Sequence, residues 1–326
     1  MNNKSEIARK YRSEYPDMPT LALARIVKKE NEVVFKDVED ARSTLRYIEG
    51  KQGEKHRKKV VNTEYYKKET RPMNPYPKSL AKDFKPFIIK GSKKIGIISD
   101  LHIPYHDEDA VYEAINKLKE FGIDLLLLNG DIIDFYQLSN FIKDQTKKGI
   151  SYEINMLKKF LDLFEKELKC KIIYKLGNHE ERYDRFLMQR APELLEMKDY
   201  TIEKALGCTE RNIEVVKEKR TIKVSQLNII HGHELGLLST AVNPARALFL
   251  KAKTNVIEGH YHRTSEHNGK DLEGKIKVAW SMGCLCHLNP EYRPHNEWEH
   301  GYALVEIEDE KNFKVHNKRI YKGKTR

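Results

Sequence analysis

The run Ile95-Gly96-Ile97-Ile98-Ser99-Asp100-Leu101-His102 marks a change in the character of the chain. A short apolar stretch bounded by polar residues reads as a strand buried on both faces, and this one ends on a carboxylate and an imidazole. The pattern recurs downstream. Asp124 to Leu128 is a second buried strand, closed by Asn129-Gly130-Asp131-Ile132-Ile133-Asp134, and Lys171 to Leu176 is a third, closed by Gly177-Asn178-His179-Glu180. Amphipathic helices fall between them. Glu108 to Phe121 is one, and Ser151 to Leu168 is another, with Ile154, Leu157, Phe160, Leu161 and Phe164 on one stripe. Strand alternating with helix predicts an α/β sheet with its faces covered.

After residue 212 strands dominate, at 213–216, 221–224, 227–230, 255–257, 276–280, 302–307 and 313–320. The expected fold is therefore α/β, a two-sheet β-sandwich flanked by helices. Two of the later strands end on Ile229-Ile230-His231-Gly232-His233 and Glu258-Gly259-His260-Tyr261-His262.

Upstream, residues 1–50 read as a small all-α domain of three helices. Ser5 opens the first, Thr20 opens the second, and the third runs from Lys36 to Glu49 with Val38, Ala41, Leu45 and Ile48 on one face and Gly50 as its stop. Three short helices with a tight middle connection resemble a helix-turn-helix unit. Arg42 and Arg46 suit either a backbone-contacting face or an ordinary solvated one. Residues 51–90 read as a basic linker, with Pro72, Pro75 and Pro77 excluding regular helix and Tyr65 and Tyr66 set among Lys67, Lys68 and Arg71. The main domain is expected over 91–326.

Composition narrows the class. With 39% hydrophobic and 33% charged residues, the chain reads as soluble. It has no apolar run near the roughly 20 residues that span a bilayer. The first residues lack an apolar signal segment, so a cytoplasmic location without a membrane partner is expected. Four cysteines, Cys170, Cys208, Cys284 and Cys286, make no disulfide framework. Cys284 and Cys286 read as small apolar residues on a strand. The net charge of +11 is uneven, because residues 1–90 hold 22 Lys/Arg against 13 Asp/Glu, a net +9. Such a segment suits an anionic partner, nucleic acid first, or a solvated surface.

Ligands of open α/β sheets bind at the carboxyl ends of strands, where the motifs fall. Gly130 and Gly177 permit tight strand-to-loop turns. His260 and His262, two apart, face one side if the backbone is extended. Carboxylate, amide and imidazole oxygens and nitrogens together suit Mn, Fe, Ni or Zn, and the lack of a thiolate in these motifs argues against a structural zinc site.

The five motifs, in this order, resemble the calcineurin-like metallophosphoesterase superfamily, whose pattern is Asp-x-His, Gly-Asp-x-x-Asp, Gly-Asn-His-Glu, His-Gly and Gly-His-x-His. The resemblance covers about residues 94–320. It implies a dinuclear site in which Asp100, His102 and His262 hold one divalent metal, Asn178, His231 and His260 the other, and Asp131 bridges both. It implies that His179 is the general acid or electrostatic partner of the phosphoryl group, oriented by Asp134, and that a metal-bridging hydroxide attacks phosphorus. Taken singly, the residues have plainer readings. Asp100 and Asp131 suit helix caps, His231 suits a core histidine, His233 competes with it as a ligand, and Asp134 suits an exposed loop. Arg182 suits either phosphate contact or a helix-surface salt bridge.

Family members that act as Ser/Thr phosphatases carry an arginine directly after the second motif; this chain has Phe135 and Tyr136 there. The paired histidines of the last motif are closer to the nuclease and phosphodiesterase branches. The layout also looks like phosphoesterases of bacteriophages and integrated elements. The expected function is metal-dependent hydrolysis of a phosphoester in DNA, RNA or a nucleotide. The alternatives are a phosphomonoesterase or protein phosphatase, and an inactive nucleic-acid-binding module.

Overall fold

The apolar runs of the sequence are strands in the computed structural model, which describes residues 4–52, 80–81, 84–144, 146–236 and 242–326. The chain divides into two units, Met1–Lys82 and Asp83–Arg326. Tyr65, Tyr66, Lys67, Lys68, Arg71 and the three prolines lie outside the described residues.

The first unit contains α1 (Lys4–Glu14), α2 (Thr20–Glu30) and α3 (Val38–Ile48). Their apolar stripes close on a core of Ala8, Leu23, Ala24, Val27, Phe35, Ala41, Leu45 and Ile48. Ser5 lies inside α1 rather than at its start. Asp37 caps α3 by accepting from Asp40 N at 2.8 Å, and Gly50 ends it in the left-handed conformation that glycine adopts without strain (φ +69°). Arg12 and Glu49 form a buried ion pair, and Thr20 Oγ1 donates to Glu49 Oε2 at 2.9 Å. Arg42 pairs with Glu39 on the outer face.

The second unit begins with β1 (Phe87–Ile88), inside the stretch read as linker, and β2 (Lys94–Ile98). There follow α4 (Glu108–Phe121), β3 (Leu125–Asn129), α5 (Ile150–Leu168), β4 (Lys171–Lys175), α6 (Glu181–Arg190) and α7 (Ile202–Ala205). Next come β5 (Glu214–Val216), β6 (Ile222–Val224), β7 (Leu227–Ile229), α8 (Pro244–Ala252), β8 (Val256–Glu258) and β9 (Ser265–Lys270). The chain finishes with β10 (Ile276–Ser281), β11 (His300–Ile307), β12 (Phe313–Tyr321) and β13 (Lys324–Thr325).

These strands build a seven-stranded sheet, β13-β12-β11-β2-β3-β4-β5, and a six-stranded sheet, β1-β6-β7-β8-β10-β9. Strands β2 to β5 run parallel. Alternation along them assigns the faces. Leu125 and Leu127 face the second sheet together with Ile95, Ile97, Ile229 and Ile257. Leu126 and Leu128 face the opposite way, onto Ala114, Leu118, Leu157 and Leu161 of α4 and α5. Leu248 of α8 covers the outer side of the second sheet with Val256 and Ala279. The result is the expected sandwich of two sheets between helices.

Strand β9, Ser-Glu-His-Asn-Gly-Lys, has no place in the sequence reading because it lacks apolar residues. It is an edge strand held by antiparallel pairing to β10, His267 opposite Ala279. Among the described residues no helix is long and apolar enough to cross a membrane.

Candidate dinuclear metal site

The five motifs meet where the carboxyl ends of β2, β3 and β4 approach those of β7 and β8. Asn129 at the end of β3 stitches the two sheets together. Its Nδ2 donates to Ile230 O at 2.8 Å, and its own carbonyl meets His231 Nδ1 at 2.8 Å. Gly130 and Gly177 permit the approach itself. A Cβ on Gly130 would stand 2.5 Å from His231 Nδ1, and one on Gly177 2.3 Å from Asp131 Oδ1. For Gly177 the need is this crowding, and not a positive φ.

Asp100, His102, Asp131, His260 and His262 all have left-handed backbones, with φ between 49° and 67°. That conformation is unfavourable for residues with a Cβ and is found where the surroundings enforce it. His260 and His262 are therefore not on extended backbone, as their spacing suggested. Two left-handed turns, and not strand alternation, aim them, and they enter different clusters.

In the first cluster His262 Nε2 is 3.2 Å from Asp100 Oδ1 and 3.3 Å from His102 Nε2, and His102 Nε2 is 3.9 Å from Asp100 Oδ1. Two ligands each about 2.1 Å from one cation stand roughly 3.0–3.4 Å apart at octahedral or tetrahedral angles. His102 Nδ1 meets Asp134 Oδ1 at 3.1 Å, which leaves Nε2 as the free ligand nitrogen. His262 Nδ1 faces the Cys286 sulfur at 3.9 Å, where a carbonyl or carboxylate is the usual partner of a ligating histidine.

In the second cluster His231 Nε2 is 3.2 Å from Asp131 Oδ2, and the ligand atoms of Asp131, His231 and His260 lie within 4.8 Å of one another. Asp131 also groups with Asp100 and His102 in the same way, so one carboxylate is common to both clusters. Asn178 Oδ1 is buried without a hydrogen-bond partner among the described residues, which suits a metal-ligand oxygen. Burial and then the His231 charge draw His260 down to about 4, its neutral ligand form. Burial opposes protonation of His231, but the Asp131 carboxylate outweighs it and pushes His231 up to about 10. The carboxylates thus draw positive charge to the place where a divalent cation would supply it. The donor set fits two such cations.

Asp134 Oδ1 lies 3.1 Å from Nδ1 of both His102 and His179, so it orients a histidine of the first cluster as well as His179. His179 Nδ1 is also 2.9 Å from Asp134 O. Arg182 does not form a surface salt bridge. Its Nη1 donates to Asp134 O at 2.8 Å and its Nη2 meets His179 Nε2 at 2.9 Å. Phe135 is fully buried and stacks on Tyr183, with ring centres 5.9 Å apart. The position after Asp134 therefore faces the core, and Arg182 brings the guanidinium to the rim. Neither Asp100 nor Asp131 caps a helix; Asp107 caps α4. His233 turns to Glu181, with Nε2 to Oε1 at 3.1 Å.

Three supports had no role in the sequence reading. Glu180, fully buried, accepts from Asp131 N, Ile132 N, Ile133 N, Gly177 N and the Tyr174 hydroxyl at 2.8–3.3 Å. Its place inside the third motif was the available signal. Lys175, also fully buried, pairs with Glu234 at 2.8 Å, and Glu234 accepts from His231 N and Gly232 N at 3.0 and 2.7 Å. A lysine inside a buried strand was the signal there. Cys284 and Cys286 lie in isolated bridges outside the named strands, buried beside His262.

A sandwich of this topology with two carboxylate–imidazole clusters at one rim defines a metal-dependent phosphoesterase. The calcineurin-like phosphoesterase family matches residues 93–290, and the chain belongs to that family. It is 26% identical over 231 residues to the Gene 54 protein of Mycobacterium phage L5, covering 67% of this chain and 90% of that protein. The Gene 54 protein of Mycobacterium phage D29 is 24% identical over 230 residues, with the same shares covered. Among solved structures, a dimetal phosphatase from Danio rerio matches at 13% identity and TM-score 0.34, over 70% of this chain and 96% of that one. A single mutant of Vps29 from Entamoeba histolytica matches at 14% identity and TM-score 0.38, over 72% and 96%.

Proposed function

We propose that the protein hydrolyses a phosphoester bond in a nucleic acid or nucleotide, using two divalent metals from the group Mn, Fe, Ni and Zn. The observation that carries this reading is the shared carboxylate, Asp131, which belongs to both ligand clusters. Asp100, His102 and His262 hold one metal; Asn178, His231 and His260 hold the other. Bound there, the pair supplies an activated water and neutralises phosphoryl charge. His179, whose side chain keeps 15% exposure, delivers a proton to the leaving oxygen. Asp134 fixes its ring, and Arg182 adds positive charge for the phosphoryl oxygens.

The nucleic-acid part rests on the buried Phe135 and on the basic region. Residues 1–50 are nearly balanced, with 10 Lys/Arg against 9 Asp/Glu, whereas residues 51–90 hold 12 against 4. The binding segment is therefore 51–90 more than the helices. Metal analysis coupled to a substrate screen tests the whole reading. Turnover of bis-p-nitrophenyl phosphate and of oligonucleotides is expected. Activity confined to p-nitrophenyl phosphate or phosphopeptides would assign the protein to monoesters instead.

A further inference from the structure

Two segments border the site outside the ligand set, one over the described residues 136–144 and 146–148 and one over 287–298. They carry aromatic and cationic side chains in contact. Lys147 Nζ lies 5.2 Å from the ring centres of both Tyr105 and Tyr136, within cation–π range. It is also 3.7 Å from Glu291 Oε2, so it ties the first loop to the second. In the second loop Trp298 stands against His262, ring centres 4.2 Å apart and planes at 68°. Tyr292 is 78% exposed, and its ring meets Trp298 edge to face, with centres 6.4 Å apart and planes at 64°. Asn296 braces this loop, donating to Leu288 O and Arg293 O at 2.6 and 2.8 Å and accepting from Trp298 N at 2.8 Å.

A phosphate alone needs only cations, and these aromatics lie beyond any such need. An exposed tyrosine beside a tryptophan, itself against a ligand histidine, is suited to a flat π-system joined to the reacting phosphate. Aromatic rings beside a cation that follows a phosphate backbone are how unpaired nucleic acid is held without sequence preference. We infer that the exposed ring of Tyr292, braced edge to face by Trp298, is a stacking platform for the nucleobase next to the scissile phosphate, while Lys147 meets the adjoining backbone. The substrate is then an unpaired strand or a nucleotide diester. This rests on the nucleic-acid reading above.

The test uses the full chain loaded with Mn²⁺. A single-stranded oligodeoxynucleotide is compared with the same oligomer carrying abasic residues, and with its duplex. Base-bearing single strand should be cleaved with kcat/KM roughly tenfold or more above the abasic strand. Tyr292→Ala and Trp298→Ala should move that ratio toward one, mainly through KM, and Tyr292→Phe should restore it. Because Trp298 touches His262, Mn²⁺ affinity is measured for each variant, and Tyr292→Ala decides the matter if Trp298→Ala loses metal. A dinucleoside monophosphate turned over as well as the oligomer assigns the platform to a single base; a preference for the oligomer adds the Lys147 contact. Equal cleavage of base-bearing and abasic strands, or of single strand and duplex, overturns the platform. Turnover of bis-p-nitrophenyl phosphate with no cleavage of any nucleic acid overturns the nucleic-acid reading and the platform with it.

Discussion

Arg182 Nη2 stands 2.9 Å from Nε2 of His179, the nitrogen that faces away from Asp134. The guanidinium donates there, so His179 accepts at Nε2 and donates its Nδ1 proton to Asp134 O. The proposed acid role needs a proton on Nε2, and Arg182 must give up that contact when substrate enters.

The first prediction follows from the role proposed for the released guanidinium at the phosphoryl oxygens. Arg182→Ala should lower kcat/KM by roughly 10- to 100-fold, the worth of a hydrogen bond to a charged group. Arg182→Lys should recover little, since an ammonium does not offer two phosphoryl oxygens the planar fork of a guanidinium. His179→Asn should abolish turnover with metals retained. Steady-state kinetics and metal analysis decide; full activity in His179→Asn would remove it from the acid role.

Metal affinity should rise with pH. His231 is pushed up to about 10 because the Asp131 carboxylate outweighs the effect of burial. Below that pH it carries a proton that must leave Nε2 before the nitrogen can ligate, since Nδ1 is committed to Asn129 O. Each proton released makes binding up to about tenfold tighter per pH unit. Titration with Mn²⁺ between about pH 6 and 9, in buffers of different ionisation enthalpy, measures both slope and protons released. A flat profile without proton release would contradict the ligand assignment.

Glu180→Gln should destabilise the protein and weaken both metal sites. Its two oxygens receive five donors, and an amide NH₂ would face at least two of them. Leaving two buried N–H groups unpaired costs about 2–6 kcal/mol. Denaturant unfolding of the metal-free chain and Mn²⁺ titration read the two effects separately. A variant with unchanged stability and affinity would show that the loops hold their shape without it.

Deleting residues 1–50 should leave oligonucleotide affinity nearly unchanged, and deleting 1–82 should lower it. The slope of log affinity against log salt should become shallower as fewer phosphates are neutralised by the shortened chain. Filter binding at several salt concentrations checks this. Equal loss from both deletions would return the binding role to the helices, and no loss from either would leave residues 1–90 without a nucleic-acid role.

The sequence by itself determined the order of buried strands and the residue types at their ends. An apolar run followed by Asp, His or Asn is a local pattern, and covered α/β sheets leave those ends exposed. The three helices of 4–48 were legible for the same reason, since their apolar spacing is local. What the tertiary structure decided is which groups meet. His231 and not His233 enters the cluster because Asn129 O, about a hundred residues earlier in the chain, holds His231 Nδ1, while Glu181 takes His233. Phe135 turns inward onto Tyr183, and Arg182 takes the place at the rim. Glu180 gathers donors from two loops, and the left-handed turns of His260 and His262 send adjacent motif residues to different clusters. None of these follows from a period along the chain. Each depends on distances of about 3 Å between segments that only the packing of one sheet against the other brings together.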